Sequence, residues 1–364
     1  MTTRGDVRHG CRRAGGFVDW MGVRATPLLA LIVAACGGAG GPRAGGPDEA
    51  VMAGSAEVLI STSDALIGEI SDLVVDDSGV VYAVDRQASQ IHVVEGPGRV
   101  RSLGRPGAGP GEFSQPTTLY RRGDTLLVVD WGNGRLQGLT VSGAPIFTRP
   151  LPPGYPPGLG ADGRFVRPTL GIDTMLAVIH APDLSVIAPI GRIVGVPMNR
   201  VSVRLMKQEI RERKVPEIFL NTAEAVVGAD TATWLYVPAA GSVQRFDAMG
   251  TEVFSVTLDE PEHEALLDRF VSENAAKPAN SFAPLRFIAD ATAVGGDLWV
   301  LLGSSVTGAA SVRIIHADGR IGERMEFPGV TGATQLAVDA ERHLAYFVEG
   351  DVAQLVRVAL PATE

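Results

Sequence analysis

One spacing constrains this chain more than any other feature of it. Val84-Asp85 recurs as Val129-Asp130, and Ile91 as Leu136, each pair 45 residues apart. A repeat of that length marks a propeller or a solenoid, because one such unit cannot bury its apolar face alone and must stack on its neighbours. Turn signals carry the pattern through the chain. A first set comprises Asp77-Ser78-Gly79, Arg122-Gly123-Asp124, Asp162-Gly163, Ala229-Asp230, Gly295-Gly296-Asp297 and Glu341-Arg342. A second set comprises Gly96-Pro97-Gly98, Ser142-Gly143, Pro182-Asp183, Met249-Gly250 and Asp318-Gly319. Such turns between β-rich runs read as hairpins.

The result is six units centred near Tyr82, Val128, Arg164, Tyr236, Trp299 and Tyr346. The last unit supplies three expected strands, 334–338, 344–348 and 355–358, and lacks a fourth. Ahead of the first unit, Glu57-Val58-Leu59-Ile60-Ser61 is a strand without a home. Pairing the two closes a ring and removes the exposed edges that invite aggregation. The expected fold is all-β: a six-bladed β-propeller over residues 55–360, closed by the N-terminal strand and carrying short helical inserts. Seven blades and an open solenoid are the alternatives, and an orphan strand at each end favours the closed ring.

Composition agrees. The 44 glycines and 24 prolines suit many short strands joined by turns, and 45% apolar residues suffice for a core. A net charge of −9 argues against nonspecific nucleic-acid binding, which runs on clustered Lys and Arg. Cys11 and Cys36 are the only cysteines, so the repeat region has neither a disulfide nor a thiolate metal site.

The second unit is the most specific. Gly104-Arg105-Pro106-Gly107-Ala108-Gly109-Pro110-Gly111-Glu112-Phe113 is followed by Pro116, by Leu126-Leu127-Val128-Val129-Asp130 and by Asn133-Gly134-Arg135-Leu136. This resembles the NHL repeat: a glycine-rich turn ending in Glu-Phe, a proline opening the inner strand, then V-x-D-x-x-N-x-R-I. The likeness fades in the other units. A phosphate loop is excluded, since no Lys-Ser/Thr follows and a strand rather than a helix comes next.

The N-terminus reads separately. After Arg24, the run Leu28–Ala35 is far shorter than the ~20 apolar residues a membrane span needs, and has the length of a signal-peptide core. Val33-Ala34-Ala35-Cys36 resembles a bacterial lipobox, although Val33 stands where Leu is commoner. That resemblance implies a signal peptide over 1–35, starting at Met21 where the n-region is compact, and lipidation of Cys36. Residues 36–54, rich in Gly and Pro, read as a flexible tether. The expected location is the cell envelope of a bacterium, on the exported side of the membrane and held by lipid alone. A plain signal peptide with an incidental Cys36 is the alternative.

Two stretches break the repeat. Residues 204–214 are charged and helical in character, with five basic and two acidic residues. Residues 259–277 read as a helix with Pro261, Glu260, Glu262 and Glu264 in its first turn and Leu266, Leu267, Phe270 and Val271 on one face. Both lie in blade-to-blade links. They therefore share a face with the Asp85 turn, the Asp130–Asn133 turn and the 104–116 link, and a pocket at the axis on that face is the expected site.

Asp85 and Asp130 are expected to cap their turns through backbone N–H groups, with Asn133 and Arg135 also structural. Trp131 at an exposed turn suits a flat ligand or a sugar, or packs under the 204–214 insert. Arg86, Arg105 and Arg204 form a candidate cationic rim. His92, His180, His263, His316 and His343 fall in different units and suggest no zinc site. The propeller resemblance also brings in lactonase-like enzymes with a central calcium, and here the inner strands offer Asp72, Thr117, Thr118, Glu224, Asp290, Thr292, Thr334 and Gln335. No Ser-His-Asp set is assignable. The leading expectation is a monomeric, noncatalytic binding or scaffold module for a protein, peptide or glycan, without a cofactor. The alternative is a divalent-metal hydrolase or lyase using Asp72, Glu224 and Asp290, with calcium as its cofactor.

Overall fold

The computed structural model describes residues 50–61, 67–151, 157–160, 162–169, 171, 174–197, 202–278, 281–304, 308–350 and 354–361. The expected signal peptide, Cys36 and residues 37–49 of the expected tether fall outside them.

Six sheets of four or more strands are arranged as the blades of a propeller. Blade 1 comprises Ile70–Val75, Val81–Asp85, Gln90–Gly96 and Arg99–Leu103, from inside to outside. Blade 2 comprises Pro116–Arg122, Thr125–Asp130, Arg135–Thr140 and Pro145–Pro150. Blade 3 opens on a two-residue inner strand, Gly158–Leu159, followed by Phe165–Pro168, Met175–His180 and Val186–Arg192. Blade 4 is Glu224–Val227, Thr233–Val237, Ser242–Phe246 and Glu252–Thr257. Blade 5 is Ile288–Val294, Asp297–Leu302, Ala309–Ile315 and Ile321–Thr331. Blade 6 is Ala333–Asp339, Leu344–Glu349 and Gln354–Ala359.

The fourth strand of blade 6 comes from the other end of the chain. Glu57–Ile60 pairs antiparallel with Gln354–Ala359, Glu57 opposite Arg357 and Val58 opposite Val356. This is the closure expected from the orphan strand, and Arg357 Nε donates to Glu57 Oε2 across it at 2.7 Å. Val51–Met52, within the stretch read as tether, adds a short parallel strand outside Met325–Glu326 of blade 5.

Second strands such as Val81–Asp85 and Thr233–Val237 are buried along their whole length, because each lies between two neighbouring blades. Inner strands bury only part of theirs and leave the rest to the axis. The core is therefore six seams rather than one centre.

Both inserts contain helices, labelled α1 (Val203–Arg211), α2 (Glu217–Leu220) and α3 (His263–Ala276). Ile210 and Phe270 join Ala239 and Leu285 in a satellite core, with Leu266, Leu267 and Val271 packed against it. Lys207 Nζ donates to the carbonyls of Asn274 (3.0 Å) and Ser281 (3.1 Å), tying α1 to the end of α3. One expectation is corrected. α3 begins after Pro261, so Glu260 and Glu262 are not in its first turn. Arginines of blade 5 draw them away: Arg313 grips the buried Glu260 through two bonds of 2.9 and 3.0 Å, and Arg324 pairs with both acids. No helix among the described residues is long and apolar enough to cross a membrane.

Candidate functional site: the axial cavity

The register of the inner strands builds the site. In five blades, the residue opposite the penultimate position of the second strand is polar. Asp72 faces Val84, Thr118 faces Val129, Glu224 faces Tyr236, Asp290 faces Leu301 and Gln335 faces Val348. In blades 1, 2, 5 and 6 a register shift lies directly beside this position. A bulge of that kind re-aims side chains and is common at functional rims. All five residues line one axial cavity of about 580 Å³, together with Thr117, Thr334, Tyr120, Tyr236, Arg286 and, nearer the blade 1 turn, Arg86. Blade 3, with its short inner strand, contributes Gly158 and Pro168.

Two of the three carboxyls are held between blades. Asp72 accepts from the Leu73 N–H (2.8 Å) and from Leu119 N–H of blade 2 (2.7 Å). Asp290 accepts from Leu336 N–H of blade 6 at 2.8 Å, the same bond two seams away. Protein surrounds both side chains even though the cavity leaves part of each residue open. Burial pushes the Asp72 carboxyl up to about 8, and the charge of Asp290 adds to the rise against the opposing N–H bonds. Burial likewise pushes Asp290 up to about 7, with the charge of Glu224 acting in the same direction. Near neutral pH the axis thus holds carboxyls that both donate and accept hydrogen bonds.

Glu224 is engaged differently. Arg286, in the link after α3, donates to its Oε1 at 2.7 Å, and the Tyr236 hydroxyl donates to its Oε2 at 2.8 Å. Burial raises the Tyr236 phenol well above its usual range, so it remains a donor. Tyr236 and Arg286 were missed in the sequence. Tyr236 is recoverable by aligning the units, since the other four blades place Val or Leu there. Arg286 has no such signal.

The other candidates lie apart. Arg86 reaches the cavity and pairs with Glu69 at 3.4 Å. Arg105 is outside it, bound to Glu112 at 2.7 Å. Arg204 is exposed on α1, a helix that packs against α3. Trp131 is 37% exposed in a single 3-10 turn and does not line the axial cavity. Asp85 caps its turn as expected, taking the N–H of Ala88 as well as that of Gly68. Asp130 does not: it takes no backbone N–H of its own turn and accepts instead from Ser114 N–H in the preceding link and from the Asn133 and Arg135 side chains, because these donors occupy both carboxylate oxygens. Asp72, Glu224 and Asp290 share the cavity. However, no group of three His, Cys, Asp or Glu residues among the described residues is gathered closely enough to hold a metal ion.

No protein-family model and no curated protein sequence matches the chain. Solved structures do. Virginiamycin B lyase from Staphylococcus aureus is 13% identical over 84% of this chain and 99% of its own, with a TM-score of 0.50. A protein of Bacteroides fragilis described as exported is 11% identical over 86% and 99%, with a TM-score of 0.52. The calcium-binding protein regucalcin from Agrobacterium tumefaciens is 10% identical over 86% and 96%, with a TM-score of 0.50. At such identities the likeness is one of fold, and it agrees with the sheet order: the chain is a six-bladed β-propeller.

Proposed function

We propose that this propeller is a noncatalytic binding module whose axial cavity receives a hydroxyl-rich ligand of the glycan class. The ring of Asp72, Thr118, Glu224, Asp290 and Gln335 at one register carries the reading. Carboxylic acids, an amide and hydroxyls that donate and accept at neutral pH match sugar hydroxyls, which do the same. The cavity volume, about 580 Å³, suits a small ligand or one end of a larger one. Calorimetric titration of the full chain against a panel of oligosaccharides is the test. Saturable binding that Gln335→Ala weakens tenfold or more supports it. Failure of every glycan, or binding indifferent to Gln335→Ala, removes it, and binding of a peptide panel instead redirects the module to peptides.

A second reading is a divalent-metal hydrolase or lyase of lactonase-like kind. It rests on Asp72, Glu224 and Asp290 facing one cavity, where mutual repulsion would be relieved by a cation. As arranged, Glu224 is committed to Arg286 and Tyr236, so the three do not form a ready site. Binding to the native state alone must raise Tm. No shift at millimolar calcium or zinc counts against this reading.

Export and lipid anchoring through Cys36 belong to the same proposal, supported by the Leu28–Cys36 pattern. Mass spectrometry of the mature N-terminus tests them: a diacylated cysteine is expected, and a free thiol at Cys36 removes the anchor.

A further inference from the structure

Five of the six blade seams are closed by clusters of nine to twelve buried apolar side chains. Among the described residues, the seam between blades 2 and 3 has four: Leu127, Val129, Leu159 and Phe165. Protein interiors pack to near-crystalline density, so a thinner seam leaves space. Here the space is a pocket of about 350 Å³, separate from the axis and open at the side of the ring. Leu127, Leu136, Phe147 and Leu159 line it, and Ile146, 53% exposed, stands at its edge.

The polar part of this pocket is cationic. Arg122 and Arg149 both line it. Among the described residues neither guanidinium has a carboxylate partner. Arg149 lies over the Phe147 ring at 5.1 Å, and Arg122 reaches across the turn at Gly163. Asp162, the acid in the lining, is already bound by Arg164 at 2.6 Å. An apolar slot with two unneutralised guanidiniums complements a molecule with an apolar body and an anionic head, and the arginine fork matches a carboxylate.

We propose that the blade 2–blade 3 pocket binds a single-chain amphiphilic carboxylate. The tail lies against Leu127, Leu136, Phe147 and Leu159, and the head sits between Arg122 and Arg149. The volume is at the small end for ligand pockets (about 300–1,000 Å³), which suits one chain rather than two.

The experiment is calorimetric titration of the full chain with decanoate below its micellar concentration. Saturable one-to-one binding is expected, at least tenfold weaker for decanol, which lacks the charge, and for butyrate, which lacks the tail. The double variant Arg122→Gln/Arg149→Gln should lose tenfold or more in affinity. Both side chains are exposed, so its Tm should match the parent. Ile146→Asp, also exposed, should weaken the tail contact. Absence of decanoate binding, or binding unchanged in the double variant, overturns the proposal. So does arginine-dependent binding of phosphatidylglycerol vesicles without binding of monomeric decanoate, which would make the patch a membrane contact. Gln335→Ala, in the axial cavity, should leave decanoate binding intact, so this site and the axial reading succeed or fail separately.

Discussion

Blades 1 and 2 close the same turn on the same residue and satisfy it in different ways. In blade 1, Asp85 is held mainly by backbone: N–H groups of Gly68 (2.7 Å), Ala88 (2.8 Å) and Glu69 (3.2 Å), with His92 Nε2 at 3.1 Å. In blade 2, Asp130 takes one backbone N–H, from Ser114 at 2.7 Å, and three side chains: Arg135 (2.7 Å), Asn133 (2.9 Å) and Gln137 (3.1 Å). His92 and Gln137 are the same position, each seven residues after its aspartate. Arg135 has no counterpart, since Gln90 stands there in blade 1. It also donates to the carbonyls of Ala108, Gly109 and Glu112, so in blade 2 a cation binds the aspartate to the glycine-rich link. That link needs its glycines: Gly104 has φ +75°, and a Cβ there would meet the Phe113 ring at 2.3 Å. Between these two blades the aspartate is constant and the donors around it vary.

Removing each aspartate should expose that difference. Asp130→Ala leaves Arg135, whose side chain is 14% exposed, without its anion. Breaking a buried pair from one side costs about 3–5 kcal/mol. Asp85→Ala strands N–H groups and an imidazole rather than a guanidinium, so the expected loss is smaller, on the order of 2–3 kcal/mol. Denaturant unfolding with an unchanged m-value measures both. An Asp85→Ala loss equal to or above that of Asp130→Ala would show that the cation is not what separates the two turns.

Exchanging the donors is a finer probe. His92→Gln writes the blade 2 amide into blade 1, at an expected cost under about 1.5 kcal/mol near neutral pH. Burial alone would raise Asp85, but His92 and the N–H groups outweigh it and hold the carboxyl at about 2. A depressed carboxyl stabilises the fold above its ordinary value near 3.8, and that stability is lost as pH falls through 2. Weakening the His92 bond should move the acid unfolding midpoint to higher pH. An unmoved midpoint would assign the depression to the backbone alone.

The sequence carries this part of the molecule well because its determinants are local and repeated. The 45-residue offset placed Asp85, Asp130 and the second strands, and the lone strand at Glu57–Ile60 found the partner that closure required. The axial site was legible in part. Asp72, Glu224 and Asp290 could be named because inner strands face an axis, but their chemistry depends on what surrounds them. Arg286 meets Glu224 across 62 residues, just beyond an insert, and no local pattern marks such a pairing. The start of α3 was misplaced for a similar reason: Arg313 and Arg324, more than 50 residues away, take the acids that would have suited its first turn. Trp131 was readable as exposed, but exposure at a turn does not place a residue on the axis.

The last comparison moves one step inward, to Asp72 in blade 1 and Thr118 at the same register in blade 2. Asp72 stays protonated in the fold up to about 8, whereas its ordinary value is 3.8. Between those limits folding takes up a proton. Its contribution is therefore fully present below about 3.8 and is lost as pH rises through 8, opposite in sign to that of Asp85. Asp72→Thr should be less stable than the parent at pH 4, because it strands the N–H groups of Leu73 and Leu119, and should gain relative to the parent as pH rises toward 8. It gives up the acceptor for Leu119 N–H, so the slope against pH is the diagnostic, not the value at one pH. Unfolding curves at pH 4, 6 and 8 give that slope. Parallel parent and variant curves would mean that Asp72 is ionised at the axis, and the cavity would then offer ligands a carboxylate instead of a donor.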